Sequence, residues 1–289
     1  MPDRLLRALD WRVRKRIDGL LSGEHQATLL GPGLELAQIR RYEPGDDVRA
    51  IDWNVTARTG EAHVREYVAE KAMTMWVLLD QSASMAFGTQ DRRKADVARG
   101  VVLAAGHLAA RSGNRLGIMT FGNGAPQVVP PARGRAGVIA VLRALEAAPQ
   151  RAAGATSVGE VLERAARTFR TRGAIVIVSD WRGPSDWRDP LIQLVARHDV
   201  LAAEIADERE VELPDVGELW LVDVETGRQL RADTGDARIR QRFSEAASRE
   251  RTEVRRAIRA TGADHVLLTT SGDWLRSLAA FLVYRRRRR

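Results

Sequence analysis

The 289-residue chain contains no cysteine, which excludes disulfide bonds, thiolate metal sites and a cysteine nucleophile. Any metal that it binds must therefore be held by oxygen or by histidine. Aromatic residues are also scarce, at 5% of the chain, although hydrophobic residues reach 44%. This length and aliphatic content can bury a sizeable core, and the composition favours helices packed on a buried sheet. We expect an α/β fold.

Long apolar segments are absent as well. The longest apolar stretches, 101–110 and 278–284, fall well short of the roughly 20 residues that a membrane-spanning helix needs. Residues 1–21 carry a charge every few positions and lack the apolar stretch of a signal peptide. We expect a soluble, cytoplasmic protein without a membrane span.

Three catalytic motifs are missing from the sequence. It contains no G-x-x-x-x-G-K-[ST], no H-E-x-x-H and no G-x-S-x-G, and its five histidines show no metal-ligand spacing. These absences argue against ATP binding by a P-loop, against a zinc peptidase and against a serine hydrolase of the G-x-S-x-G kind.

The net charge of +8 is concentrated at the end of the chain. Five consecutive arginines occupy residues 285–289, so that the rest of the chain is only mildly basic. Such a run is usually a solvated tail, and the sharper interpretation is that it binds nucleic acid or an anionic membrane surface.

Apolar runs alternate with helical patterns from residue 71 onward. The runs predict buried strands at 75–79, 116–121, 174–178, 200–205 and 265–268. A continuous rather than alternating apolar pattern is typical of strands covered on both faces, as in a parallel sheet. The sequence therefore predicts a doubly wound, mostly parallel sheet flanked by helices.

The chain divides into two parts by pattern. Residues 1–70, with a basic helical pattern at 4–21 followed by a region rich in glycine, proline and aspartate, are predicted to be an N-terminal extension. Residues 71–289 form the predicted α/β domain. Within it, residues 217–233 alternate apolar and polar side chains around a turn, which predicts a β-hairpin insertion.

The tryptophans divide into two groups. Trp53, Trp76 and Trp220 lie in strand-like runs and are interpreted as core residues. Trp181 directly follows Asp180, so that it either anchors a partner beside a metal site or packs in the core.

The motif D-x-S-x-S follows the first predicted strand of the domain. Asp80 ends this strand, and Ser82 and Ser84 lie in the loop that leads to the next helix. A hard cation such as Mg²⁺ prefers six oxygen ligands, which a carboxylate and two hydroxyls can partly supply. Taken alone, the motif fits an ordinary strand-to-helix turn with a serine cap equally well.

Two other segments end at the same edge of the predicted sheet. Asp180 follows the apolar strand 174–178, and Thr156 precedes a helix whose start is marked by Ser157 and Glu160. Ligands of open parallel sheets collect at the carboxyl edge of the strands. Five oxygen-bearing residues from three loops therefore predict a site for Mg²⁺ or Mn²⁺.

This pattern resembles the metal-ion-dependent adhesion site of von Willebrand factor type A domains. The resemblance implies that Ser82 and Ser84 coordinate the metal directly and that Thr156 does so directly or through water. It implies that Asp80 and Asp180 act largely through waters. In that family a carboxylate of the binding partner commonly fills the sixth position, so the resemblance implies a site that holds a partner rather than one that catalyses.

A second resemblance involves the segment before this strand. The sequence IRRYEPGDDVRAIDWNVTARTGEAHVREYVAEK, residues 39–71, is similar to the signature of the bacterial family catalogued as domain of unknown function fifty-eight. Members of that family carry a type A-like domain and are often encoded beside AAA+ ATPases of the MoxR class. The resemblance implies a partner or adaptor of such an ATPase, acting in assembly, maturation or metal insertion for client proteins.

The function expected from these observations is therefore a metal-dependent interaction domain without enzymatic activity. The main alternative is a Mg²⁺-dependent phosphohydrolase of the haloacid-dehalogenase type, with Asp80 as nucleophile. Such an enzyme needs an acid-base group two residues later, where this chain has Ser82, and a lysine, for which neither Lys71 nor Lys94 has a strand-end position. Nucleic-acid binding through residues 285–289 is the third candidate.

Overall fold

The computed structural model describes residues 34–69, 72–88, 92–122, 124–147, 157–222 and 229–288. Its strands are β1 (Leu34–Arg41), β2 (His63–Ala69), β3 (Thr74–Asp80), β4 (Arg115–Phe121), β5 (Gln127–Arg133), β6 (Gly173–Ser179), β7 (Asp199–Ala206), β8 (Glu218–Val222), β9 (Gln229–Asp233) and β10 (Asp264–Thr269). Its α-helices are α1 (Trp53–Thr59), α2 (Lys94–Arg111), α3 (Gly134–Ala147), α4 (Val158–Thr168), α5 (Arg188–Val195), α6 (Ala237–Ala260) and α7 (Trp274–Arg288). The helical pattern predicted at 4–21 lies outside the described residues.

A six-stranded sheet forms the centre of the molecule, in the order β10-β7-β6-β3-β4-β5. Neighbouring strands are parallel except for β5, which runs antiparallel to β4. The five strands predicted from apolar runs are the five parallel ones. The predicted fold class, a mostly parallel sheet flanked by helices, is confirmed.

The position of β3 at the centre of the sheet explains why its sequence is continuously apolar. Met75, Val77 and Leu79 belong to a core on one face of the sheet, which α2, α3 and α7 cover. Trp76 and Leu78 belong to the core on the other face, which α4, α5 and α6 cover. Because both faces are covered, no position of the strand is left for an alternating polar residue.

The edge strand β5 was not predicted by the sequence pattern. It contains Pro130 and Pro131, and its side chains are exposed or half-buried. Proline donates no hydrogen bond and is therefore tolerated in a sheet mainly at edges, where the pattern is weak. The strand consequently lacks the apolar run that identified its neighbours.

Two antiparallel strand pairs lie outside the central sheet. β1 pairs with β2, and β8 pairs with β9 around residues 223–228, which lie outside the described residues. The expectation that Trp53 and Trp220 belong to the core is wrong, because Trp53 at the start of α1 and Trp220 on β8 are 70% and 65% exposed. Trp76 is buried as predicted and stacks on Phe169 at 3.9 Å between ring centroids.

The arginine-rich end of the chain continues helix α7 as far as Arg288. Arg285 bonds to both Asp199 and Asp264, at the starts of β7 and β10, so that this arginine does not belong to a solvated tail. Among the helices that the structure describes, none combines the length and the apolar character that crossing a bilayer requires.

Candidate metal centre

Strands β3 and β6 bring the two aspartates of the predicted site to one edge of the sheet. The strands are adjacent and parallel, with Leu79 opposite Val178, so that Asp80 and Asp180 leave the sheet at the same edge, offset by one residue. Both side chains are buried, with 5% and 8% of Asp80 and Asp180 exposed. The convergence expected from the strand ends is therefore present.

The carboxylate of Asp80 is held in place by its own loop and by the neighbouring strand. Its Oδ1 accepts the backbone N–H of Ser82 at 2.8 Å, and its Oδ2 accepts the hydroxyl of Ser179 at 2.6 Å. Ser179 was not singled out in the sequence, although it directly precedes Asp180. It fixes the orientation of Asp80 across the two strands.

The two serines of the D-x-S-x-S motif lie between the aspartates. After Asp80 the chain turns into a short 3-10 helix, Ala83–Ala86, which places the hydroxyl oxygens of Ser82 and Ser84 3.0 Å apart. Ser84 also hydrogen-bonds to Asp180. Spacing by two residues thus brings both hydroxyls to the same place because of this tight turn.

Gly122 leaves the space in which the motif folds. It follows β4 with a φ of +85°, a conformation that side chains other than glycine rarely adopt. A Cβ atom here would lie 2.7 Å from both Oδ1 of Asp80 and the backbone nitrogen of Ser82. The strand end beside β3 is therefore shaped around the carboxylate, a feature that the sequence motif alone did not indicate.

Lys94 belongs to the same polar cluster, although the sequence pattern gave it no place at the strand ends. It begins α2, its side chain is 0% exposed, and its Nζ donates to Oδ2 of Asp180 and to Oε1 of Glu210, each at 2.6 Å. The expectation that no lysine reaches the strand ends is therefore wrong. One signal was available, because only three of the 46 basic residues of this chain are lysine.

Glu210 extends the polar cluster to the loop after β7. Its carboxylate accepts the N–H of Asp207, with Arg182 Nε at 3.4 Å and Arg251 at 3.7 Å. Lys94 is consequently shared between one carboxylate at the predicted metal site and a second that other cations also neutralise.

The two aspartates differ in electrostatic environment. Burial, assisted by the negative charge of Asp180, raises the pKa of Asp80 from its ordinary value of 3.8 to about 6. Burial acts in the same direction on Asp180, but the charge and the hydrogen bond of Lys94 outweigh it, so the pKa of Asp180 lies below its ordinary value. Among the described residues, Asp80 bonds to hydroxyl and amide groups rather than to a cation.

These residues fit a hard divalent cation. Two buried carboxylates and two hydroxyls supply only oxygen, the ligand atom that Mg²⁺ and Mn²⁺ prefer. A divalent charge would also favour the ionised form of Asp80, which burial disfavours. No group of three or more acidic or histidine ligands occurs among the described residues, so that a cation here would depend on the hydroxyls. Thr156 lies outside the described residues, and Ser157 caps α4 by accepting the N–H of Glu160.

Trp181 is a core residue rather than an exposed anchor. It is 1% exposed and packs edge-on against Trp187, with ring centroids 5.1 Å apart. Its backbone has a φ of +56°, which is strained for a bulky residue. The hydroxyl oxygen of Ser179 accepts the backbone N–H of Trp181 at 3.0 Å. The turn after Asp180 is thus fixed from both the backbone and the core.

Comparison with known proteins gives a family and a curated relative. The family model described as "Protein of unknown function DUF58" matches residues 38–253. An uncharacterized protein of Mycobacterium tuberculosis is 41% identical over 283 residues, which cover 98% of this chain and 89% of that protein.

Solved structures align less closely. An aerotolerance-related membrane protein from Bacteroides fragilis covers 75% of this chain and all of its own, with 14% identity and a TM-score of 0.49. A von Willebrand factor type A protein from Catenulispora acidiphila covers 75% of this chain and 42% of its own, with 14% identity and a TM-score of 0.36.

Proposed function

Since this chain belongs to the DUF58 family, we propose that it is a protein-interaction domain that holds its partner through a divalent cation, Mg²⁺ or Mn²⁺. The cation ligands are Asp80, Ser82, Ser84, Thr156 and Asp180. A carboxylate of the partner completes the coordination. The domain binds rather than catalyses.

The observation that carries this proposal is the convergence of two buried aspartates and two serine hydroxyls at one strand edge. Ser82 and Ser84, whose oxygens lie 3.0 Å apart, are the direct ligands. Asp80 and Asp180 act mainly through bound water and supply the negative charge. Gly122 supports this assignment, because a side chain there would displace the Asp80 carboxylate.

The proposed partner is a AAA+ ATPase of the MoxR class, for which this chain serves as adaptor in the cytoplasm. The support is the resemblance of residues 39–71 to the family signature. Client proteins undergoing assembly, maturation or metal insertion would supply the carboxylate that binds the cation. The ATPase would then act on a client that the cation holds in place.

Calorimetric titration with Mg²⁺ and Mn²⁺ tests the cation. Wild type should bind, whereas Asp80→Ala and Ser82→Ala should weaken binding at least tenfold, because each removes an oxygen donor. Ser185→Ala is the matched control, since Ser185 is exposed and outside the cluster. Equal binding by wild type and Ser82→Ala would contradict the assignment of that hydroxyl.

A pull-down tests the partner. Immobilised wild type should recover the ATPase in Mg²⁺ and lose it on chelation, and Asp180→Ala should recover little in either condition. Recovery that survives both chelation and Asp180→Ala would show that the interaction does not use the cation.

The phosphohydrolase alternative gains one feature and lacks another. Lys94 contacts Asp180, which removes the objection that no lysine reaches the strand ends. However, both oxygens of Asp80 already accept hydrogen bonds, and the residue two positions later is a serine. Turnover of p-nitrophenyl phosphate that disappears in Asp80→Asn would favour the enzyme.

Nucleic-acid binding through residues 285–289 has less support, because Arg285 is engaged by Asp199 and Asp264. Loss of DNA binding at physiological salt on deletion of these residues would favour it.

A further inference from the structure

The proposed cation site already contains a positive charge. The ammonium of Lys94 lies 2.6 Å from Asp180 and 2.6 Å from Glu210, and its side chain is fully buried. This inference rests on the proposed function, because it concerns how the same site regulates its affinity for the divalent cation.

The position of Lys94 is unfavourable for an ion pair that serves only stability. It is the first residue of α2, where the helix dipole disfavours a positive charge. Burial of an ammonium also costs desolvation that its partners must offset. A lysine that remains in such a place contributes something other than the packing that an apolar side chain would provide.

The choice of lysine over arginine is informative as well. Several other acidic groups among the residues that the structure describes are paired with arginine, as in Arg40 with Asp46 and Arg65 with Asp52. An arginine fork favours bidentate binding of one carboxylate, whereas the ammonium is a compact charge with three rotatable donors. The ammonium of Lys94 contacts one oxygen of Asp180 and one of Glu210. The other oxygen of Asp180 accepts the backbone N–H of Arg182 in the loop that follows.

Two cations that share one carboxylate weaken each other's binding. The ion pair with Lys94 reduces the negative charge that Asp180 offers to a divalent cation, and the ion pair with Glu210 reduces the positive charge that Lys94 offers to Asp180. The charge of Glu210 therefore decides how strongly Lys94 holds Asp180. We propose that Lys94 is a positioning residue that shares Asp180 with the divalent cation and so keeps the cation affinity of the site low until a partner carboxylate adds its charge.

Two substitutions with opposite expected effects test this proposal by calorimetry with Mg²⁺ and Mn²⁺. Lys94→Met removes the charge but keeps most of the length of the side chain, and should tighten Mg²⁺ binding about tenfold or more. Glu210→Gln leaves Lys94 entirely to Asp180, and should weaken binding about threefold or more. A merely structural role would not produce the gain, because damage to the site lowers affinity.

Two further variants keep the test decisive. The double variant Lys94→Met/Glu210→Gln removes one charge of each sign. It should fold even if Lys94→Met alone does not, and it should again bind Mg²⁺ more tightly than wild type. Arg65→Met, which removes a positive charge from a separate ion pair, should leave the affinity unchanged.

Binding by Lys94→Met where wild type binds weakly or not at all would support the inference. Wild-type binding that none of the Lys94 variants tightens would overturn the role of Lys94 and leave the proposed function standing. If neither wild type nor any variant bound Mg²⁺ or Mn²⁺, both proposals would fail together.

Discussion

Two acidic clusters lie at opposite edges of the same sheet. At the amino edge, Asp199 and Asp264 begin β7 and β10, and Arg285 binds both. At the carboxyl edge, Asp80 is the last residue of β3 and Asp180 directly follows β6. Each cluster brings together residues far apart in sequence, and each pairs two carboxylates on nearby strands.

The clusters differ in burial and in compensation of charge. The side chains of Asp199 and Asp264 are 31% and 38% exposed, and one guanidinium bonds to both. Asp80 and Asp180 are buried, and Lys94 neutralises Asp180 but not Asp80, whose pKa rises to about 6. Solvent and Arg285 compensate the two carboxylate charges at the amino edge. At the carboxyl edge, Asp80 is a buried acid whose ionised form a divalent cation would stabilise.

The largest effect should come from Gly122, one of two glycines that flank β4 at opposite edges of the sheet. Gly122→Ala at the carboxyl edge adds a Cβ 2.7 Å from the Asp80 carboxylate and also strains a positive φ. We expect a loss of about 2–4 kcal/mol in the free energy of unfolding and at least tenfold weaker Mg²⁺ binding. Urea unfolding and calorimetry measure the two quantities.

Gly113→Ala is the matched control at the amino edge. Its φ is +66°, but a Cβ there would meet nothing within 4 Å. It should cost only the backbone strain, about 1–2 kcal/mol, and leave Mg²⁺ binding unchanged. Equal effects of the two substitutions on Mg²⁺ binding would contradict the close fit of Gly122 around Asp80.

Asp80→Asn should stabilise the protein in the presence of chelator at pH 7.5. A carboxyl whose folded pKa lies above its unfolded value loses stability as pH rises from about 4 through about 6, and asparagine avoids this loss. The shift corresponds to about 3 kcal/mol at most, from which mismatched hydrogen bonds subtract. We expect a net gain of about 1–2 kcal/mol by urea unfolding.

The pH dependence identifies the cause of this gain. The advantage of Asp80→Asn should shrink by roughly 1 kcal/mol between pH 7.5 and pH 5, because Asp80 becomes protonated. Asp264→Asn at the amino edge should instead destabilise slightly at pH 7.5, since it weakens an ion pair. An advantage of Asp80→Asn that did not change with pH would exclude the buried charge as its origin.

The carboxyl edge could be predicted to the extent that it depends on strand ends. Asp80 and Asp180 follow apolar runs, and parallel neighbours necessarily end at one edge, so their convergence follows from local sequence. Lys94 could not be predicted in this way. It lies 86 residues from Asp180 and 116 from Glu210, and the contacts depend on how α2 and the loop after β7 dock.

Most of the fold could be predicted because local sequence reflects burial, and the prediction failed where burial is incomplete. Strands buried on both faces must be continuously apolar, which made the five parallel strands recognisable. The edge strand β5 and the exposed Trp220 of the β8–β9 pair lack that constraint, because one side faces solvent. An exposed tryptophan in a short alternating strand has the same local pattern as a buried one.

The smallest effect should come from Arg285→Gln at the amino edge. It leaves Asp199 and Asp264 without their shared guanidinium, but both are partly exposed and water replaces the lost bonds. We expect a loss of about 1 kcal/mol in the free energy of unfolding, and less at high salt, which urea unfolding at two ionic strengths would measure. Mg²⁺ affinity should not change, because the sheet separates the two clusters. A change in affinity of the size expected for Lys94→Met would mean that the two edges are electrostatically coupled, and the contrast between them would then reflect the charge of the whole domain.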